Sequence, residues 1–122
     1  MYDVTVEQHF DAAHFLRGYK GKCETLHGHR FRVLATLGFE ELNDIGLAYD
    51  FVEIKKHLKD VAAHFDHTPL NDTPPFDTIN PSSENIARTV YDELQTRLGE
   101  DAKALRSVEV WESPETRVSY RP

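Results

Sequence analysis

The stretch "HGHRFRVLATLGF", residues 27–39, puts His27, His29, Phe31, Val33, Ala35, Leu37 and Phe39 at every second position. Successive side chains of a strand point to opposite faces. The spacing therefore predicts a strand, and the face that takes Phe31 and Val33 into a core takes both histidines with it. Residues 2–13 alternate in the same way. Tyr2, Val4, Val6, Phe10 and Ala12 share one face, and Asp3, Thr5, Glu7 and Asp11 share the other. The segment between them, 15–26, carries Gly18, Gly21 and several charges, which suits a loop. Two strands flanking one loop read as a hairpin.

Towards the C-terminus the period changes. In "DFVEIKKHLKDVAAHF", 50–65, the residues Phe51, Ile54, Leu58, Val61, Ala62 and Phe65 form one helical stripe. Asp50 suits the N-cap, with Glu53 three residues on as in a capping box. A second helix begins at "PSSEN", capped by Ser82 or Ser83, with a stripe of Ile86, Ala87, Val90, Tyr91, Leu94 and Leu98 and with Gly99 just past its end. "SVEVWE" and "TRVSY" read as two strands joined by a tight turn around Ser113 and Pro114. The order β-β-α-α-β-β predicts an α+β fold: a single domain over 1–122, with an antiparallel four-stranded sheet and two helices on one face. Such a sheet has open edges, and pairing them between copies makes a homo-oligomer the expected assembly.

The chain has 122 residues, about one compact domain, and carries 14 Lys and Arg against 21 Asp and Glu, a net charge of −7. That balance argues against a nucleic-acid partner, whose footprint is a basic patch. One cysteine cannot close an internal disulfide. The opening "MYDVTVEQHF" lacks the basic start and apolar block of a secretion signal, and no apolar run spans a bilayer. The expectation is a soluble cytoplasmic protein with no membrane partner.

His27 and His29 project their imidazoles the same way, and the hairpin brings His14, at the end of the first strand, across from them. Three histidines leave a fourth position open on a tetrahedral ion, the catalytic type of zinc site; hydrogen-bonded core or rim histidines are the plainer alternative. Cys23, the only cysteine, lies in "KCETLHGHR", 22–30. It reads as a fourth ligand, as a small buried residue, or as a catalyst whose thiol is acidified by a nearby cation. In "FDHTPLN" an aspartate, Asp66, stands beside His67 and either sets its tautomer for acid–base chemistry or is simply solvated at a helix end. Glu112 shares parity with Val108 and Val110, so a carboxylate points to the apolar face. It needs a partner there: either an arginine or a ligand with paired N–H donors, such as a 2-amino-pyrimidinone ring. Arg17, Lys20 and Lys22 form a local basic cluster that is either an anion site or a solvated loop.

Six motifs in order, "FDAAH", "CETLHGH", "DFVEIK", "FDHTPLN", "NPSSENIA" and "VWES", resemble the 6-pyruvoyl-tetrahydropterin synthase family over nearly the whole chain. The short C-x-x-x-H-G-H spacing is similar to its bacterial 6-carboxytetrahydropterin synthase branch. The resemblance implies the tunnelling fold, in which subunits join their sheets into a barrel, usually a hexamer of two trimers with active sites at subunit boundaries. It implies Zn²⁺ on His14, His27 and His29, with Cys23 as thiolate base and His67, oriented by Asp66, as its acid–base partner. Glu112 would anchor the pterin, with help from Ser82 and Ser83. The implied substrate is 7,8-dihydroneopterin triphosphate. The implied products are 6-carboxy-5,6,7,8-tetrahydropterin, acetaldehyde and triphosphate, made on the route to queuosine or another 7-deazaguanine. A pyruvoyl-type synthase that leaves the carbon chain intact, and a zinc-stabilised binding module without catalysis, are the competing expectations.

Overall fold

The computed structural model describes residues 1–21 and 25–122. Two long strands, β1 (Tyr2–His14) and β2 (His27–Phe39), are followed by helix α1 (Phe51–Phe65), a two-residue strand β3 (Thr68–Pro69) and helix α2 (Ser83–Leu98). Strands β4 (Leu105–Ser113) and β5 (Thr116–Tyr120) close the chain. The sheet order is β3-β1-β2-β4-β5. The four long strands pair antiparallel, as the alternation predicts. The fifth, β3, lies parallel to β1 and pairs only Ala12 with Thr68 and Ala13 with Pro69. Four strands expected become five because two residues are too few to carry any periodicity of their own.

The β1–β2 register pairs Phe10 with Phe31, Ala12 with His29 and His14 with His27. The apolar face of the sheet packs against both helices, with Phe10, Phe31, Val33, Val108 and Val110 meeting Ile54, Phe65, Ile86 and Leu94. The Phe10 ring stacks on Phe31 at 5.0 Å between centroids and meets Phe65 at 5.9 Å. Each such fully buried side chain contributes about 1.5–3 kcal/mol of transfer free energy. This end of the core is therefore a rigid platform, and the histidine end of the hairpin is built directly onto it.

Both helix starts follow the capping logic. The Asp50 carboxylate accepts from the Val52 N–H at 2.9 Å, and the Ser82 hydroxyl accepts from the Asn85 N–H at 3.1 Å. Of the two candidate serines, Ser82 is the cap and Ser83 is the first helical residue. Phe51 departs from its expected place in the α1 stripe and is 52% exposed. It stands in the first helical turn, ahead of Ile54, where α1 begins to bury its apolar face. The β4–β5 turn is Pro114-Glu115, between Ser113 and Thr116.

Candidate metal centre and its surroundings

At the loop end of the hairpin, strand parity collects His14 from β1 and His27 and His29 from β2 on the core-facing side. Glu112 arrives from β4 on the same side, two residues beyond the fully buried Val110. One Glu112 carboxylate oxygen, Oε1, lies 3.0 Å from His14 Nε2, 3.1 Å from His29 Nε2 and 4.0 Å from His27 Nε2. The donor atoms of all four residues fall within 4.8 Å of one another, so the group could hold a metal ion.

The other ring nitrogens say which atoms are free to ligate. His14 Nδ1 is 2.7 Å from the Pro81 carbonyl, and His27 Nδ1 is 2.6 Å from the Thr25 carbonyl. A carbonyl can only accept, so each Nδ1 carries a proton, and each Nε2 is the nitrogen turned toward Glu112. Burial is the largest influence on His29 and holds it below its ordinary value, against the attraction of Glu112 and with the help of His14 and His27. Neutral imidazoles and an ionised carboxylate converging on one point are the donor set of a bound cation, and without one the same contacts are imidazolium–carboxylate hydrogen bonds. Four tetrahedral donors around zinc stand about 3.3 Å apart, and the 3.0, 3.1 and 4.0 Å separations bracket that spacing. The residues therefore fit a nitrogen- and oxygen-ligated divalent ion.

His14 is the most enclosed ligand, at 2% exposure. The chain that follows it is held by two asparagine side chains acting like short strands. Asn71 accepts from the Phe15 N–H at 3.0 Å and donates to the Phe15 carbonyl at 3.1 Å. Asn80 makes the same reciprocal pair with the N–H and carbonyl of Arg17, both at 2.9 Å. Neither asparagine stands out in the sequence alone, although each lies inside a motif, at the end of "FDHTPLN" or the start of "NPSSENIA". The Arg17 guanidinium donates to the carbonyls of Phe76, Asn71 and Ile79 at 2.8, 3.2 and 3.3 Å. It braces this loop, so Lys20 is the member of the basic cluster left within the described residues as a candidate for phosphate. Lys22 and Cys23 lie outside the described residues.

Asp66 and His67 form the expected pair, with His67 Nδ1 3.0 Å from Asp66 Oδ2. The other Asp66 oxygen accepts from the Asp11 N–H at 2.9 Å. That backbone bond, ahead of the His67 contacts, holds the Asp66 carboxyl below its ordinary value. The His67 N–H donates to the Asp11 carbonyl at 2.6 Å, and His67 adopts φ +57°, a conformation non-glycine residues seldom take. With Asp11 the pair forms a second titratable cluster, distinct from the histidine group. Asp11 has the opposite strand parity from His14, so this cluster sits on the outer face of the hairpin. There Asp11 and His67 line a cavity of about 550 Å³ together with Ala13, Gly28 and Arg30, and His29 of the histidine group lines it too. A single chain thus brings His14, His27, His29 and Glu112 together and keeps Asp66 and His67 in a separate cluster, which shares one cavity with His29. Ser82 caps α2 immediately after Pro81, whose carbonyl orients His14. Glu112 takes the histidines, rather than an arginine, as its partners.

The β2–β4 ladder runs from Leu37 and Leu105 to Arg32 and Trp111. Beyond it a cavity of about 440 Å³ opens, lined by His29, Glu112, Trp111, Arg32 and Pro114 among others. The metal group is therefore approachable from solvent on its Glu112 side.

Comparison with known proteins agrees with this construction. The family described as 6-pyruvoyl tetrahydropterin synthase matches residues 3–122. A Bacillus subtilis protein named 6-carboxy-5,6,7,8-tetrahydropterin synthase is 34% identical, over 99% of this chain and 86% of its own. A Synechocystis protein of the same name is 34% identical, over 98% of this chain and 93% of its own. The structure of Caenorhabditis elegans 6-pyruvoyl tetrahydropterin synthase superposes with a TM-score of 0.85 at 28% identity, covering 100% of this chain and 97% of that one. With its motifs in order, its strands in register and its histidines converged, this chain belongs to the 6-pyruvoyl tetrahydropterin synthase family.

Proposed function

We propose that this chain, as one domain over 1–122, is a zinc-dependent 6-carboxytetrahydropterin synthase. It converts 7,8-dihydroneopterin triphosphate to 6-carboxy-5,6,7,8-tetrahydropterin, acetaldehyde and triphosphate, on the route to queuosine or another 7-deazaguanine. The observation that carries this reading is the convergence of the His14, His27 and His29 side chains, with Glu112, on one point, in a chain matched along its length by relatives named for that product.

His14, His27 and His29 would hold the zinc. When bound, the ion supplies Lewis acidity toward the hydroxylated side chain of the substrate. The carbonyls of Pro81 and Thr25 keep two of the ligand rings in the right tautomer. Cys23, four residues before His27, acts as the base that takes a proton from the substrate side chain. His67 acts as its acid–base partner, with Asp66 holding the proton on Nδ1 so that Nε2 faces the reaction. Glu112 receives the paired N–H groups of the pterin ring, with Ser82 and Ser83 alongside at the α2 start. The two clusters are separate within one chain. In this reading the chain assembles as a homo-oligomer, a hexamer of two trimers, with sites at the subunit boundaries.

The test is product identity. Incubation with dihydroneopterin triphosphate should release acetaldehyde and a 6-carboxy pterin, read by mass spectrometry. A 6-pyruvoyl product would refute this reading in favour of the activity named for the Caenorhabditis elegans structure.

A further inference from the structure

We infer that Glu112 has two posts: in the substrate-free protein it is the fourth ligand of the metal, and it leaves the ion to receive the substrate ring. The inference rests on the zinc reading above. Its basis is the position of one carboxylate oxygen, 3.0 and 3.1 Å from two ligand nitrogens and 4.0 Å from the third. Two of the three rings turn Nδ1 to a backbone carbonyl and so present Nε2 to this point. The carboxylate oxygen stands where the fourth donor of a tetrahedral ion would, within 4.8 Å of every other donor atom of the group.

The surroundings allow the carboxylate to move. Glu112 is 31% exposed along its side chain, where His14 is 3%. It borders the roughly 440 Å³ cavity that opens past the end of the β2–β4 ladder. Its stem is fixed by the Val110 core position, and the turn at Pro114-Glu115 leaves its outer side uncovered. Rotation about the side-chain bonds is enough to carry the carboxylate from the ion to the cavity, with no backbone change. In this arrangement the resting metal has a full protein ligand set, His₃Glu, and becomes a three-histidine site only when a ring with paired N–H donors draws the carboxylate away. The resting ion is then shielded from adventitious ligands, and opening of its fourth position is coupled to occupation of the ring site.

The test uses the whole protein, stripped of metal and refilled with Co²⁺ or Zn²⁺, in wild type, Glu112→Gln and Glu112→Ala. If Glu112 is a ligand, both variants bind Zn²⁺ at least ~10–100-fold more weakly in chelator competition, the span seen when a metal site loses a supporting group. Their Co²⁺ visible bands also differ from wild type. Saturating wild type with pterin, a ring that lacks the hydroxylated side chain, should then move its Co²⁺ bands toward those of Glu112→Gln, and pterin should leave the variants' bands in place. Wild-type affinity and wild-type bands in both variants would overturn the inference while a normal zinc content left the histidine site standing. A pterin-saturated wild type with unchanged bands would overturn the movement. A wild-type protein that takes up no stoichiometric metal would remove the zinc reading itself. Circular dichroism of each variant checks that the fold is kept, and the near-isosteric Gln serves if Ala does not fold.

Discussion

Replacing Asn71 with alanine should cost far more stability than a loop residue normally does. Asn71 is 7% exposed, and its amide both accepts from and donates to the Phe15 backbone, at 3.0 and 3.1 Å. Alanine leaves the Phe15 N–H and carbonyl without partners. An unsatisfied buried polar group costs about 1–3 kcal/mol, and these two are only partly buried, so the loss should be about 2–4 kcal/mol. For a chain of this size that is about 8–16 °C in Tm. Asn71→Asp is the sharper variant. It keeps the shape and the acceptor for the Phe15 N–H, but turns the former donor into an oxygen facing the Phe15 carbonyl. It should be destabilised as much as alanine at neutral pH and recover part of the loss in acid, where the carboxyl regains a proton to donate. Urea unfolding in a chelator, at fixed protomer concentration, keeps metal and subunit linkage out of the comparison. Both variants within about 0.5 kcal/mol of wild type, the range of an ordinary surface change, would refute the account of this clamp.

Three further outcomes follow from the site. His27→Ala and His29→Ala should purify with little zinc where wild type carries about one ion per chain; wild-type metal content in both, by atomic absorption, would refute the ligand assignment. Cys23→Ala should keep its zinc and its assembly and lose ~10²–10⁴ in turnover, the usual cost of a general base; a variant that purified without zinc would make Cys23 a ligand. The metal-free protein should lose stability as pH falls below about 6.5, because His29 is held below its ordinary value of 6.5 in the folded chain. The unfolded chain then binds the proton first, so stability is present above 6.5 and declines toward the lower folded value. A pH series of urea midpoints with rising stability toward acid would contradict it.

Period-two alternation was enough to read β1, β2 and the hairpin, and with the hairpin came the pairing of His14 with His27. That inference needs only local information, since both residues flank one loop. Glu112 was legible as a carboxylate on the apolar face, but its convergence with the histidines was not. It depends on β4 lying beside β2 in one register, a contact between residues 98 positions from His14. The asparagine clamps were hidden for a related reason. Polar residues in "NDTPPF" and "INPSSEN" look like turn formers, and nothing local says that two of them reach back to Phe15 and Arg17. Arg17 looked like a member of a basic cluster because charge is countable in sequence, whereas the carbonyls that occupy its guanidinium are set by the tertiary path of the 71–79 loop. Asp66 and His67 were correctly paired, but their face was not readable until β3 fixed them against Asp11.

The asparagine clamps have a consequence for the order of events as the chain folds. His14 is placed by partners 56 to 67 residues ahead of it, through Phe15 and Asn71, Arg17 and Asn80, and its own contact with Pro81. Contacts of such long sequence separation form late, because the loops they close cost entropy before they return any stability. The β1–β2 hairpin can therefore form first, with His14 fixed only when the chain from Asn71 to Pro81 packs against it. An ion bound as proposed would enter a pocket the chain has already built. Unlike the metal of a zinc finger, whose binding free energy is the folding free energy, it would be a late passenger, and stripping it with a chelator should leave the far-ultraviolet circular dichroism of this protein as it was.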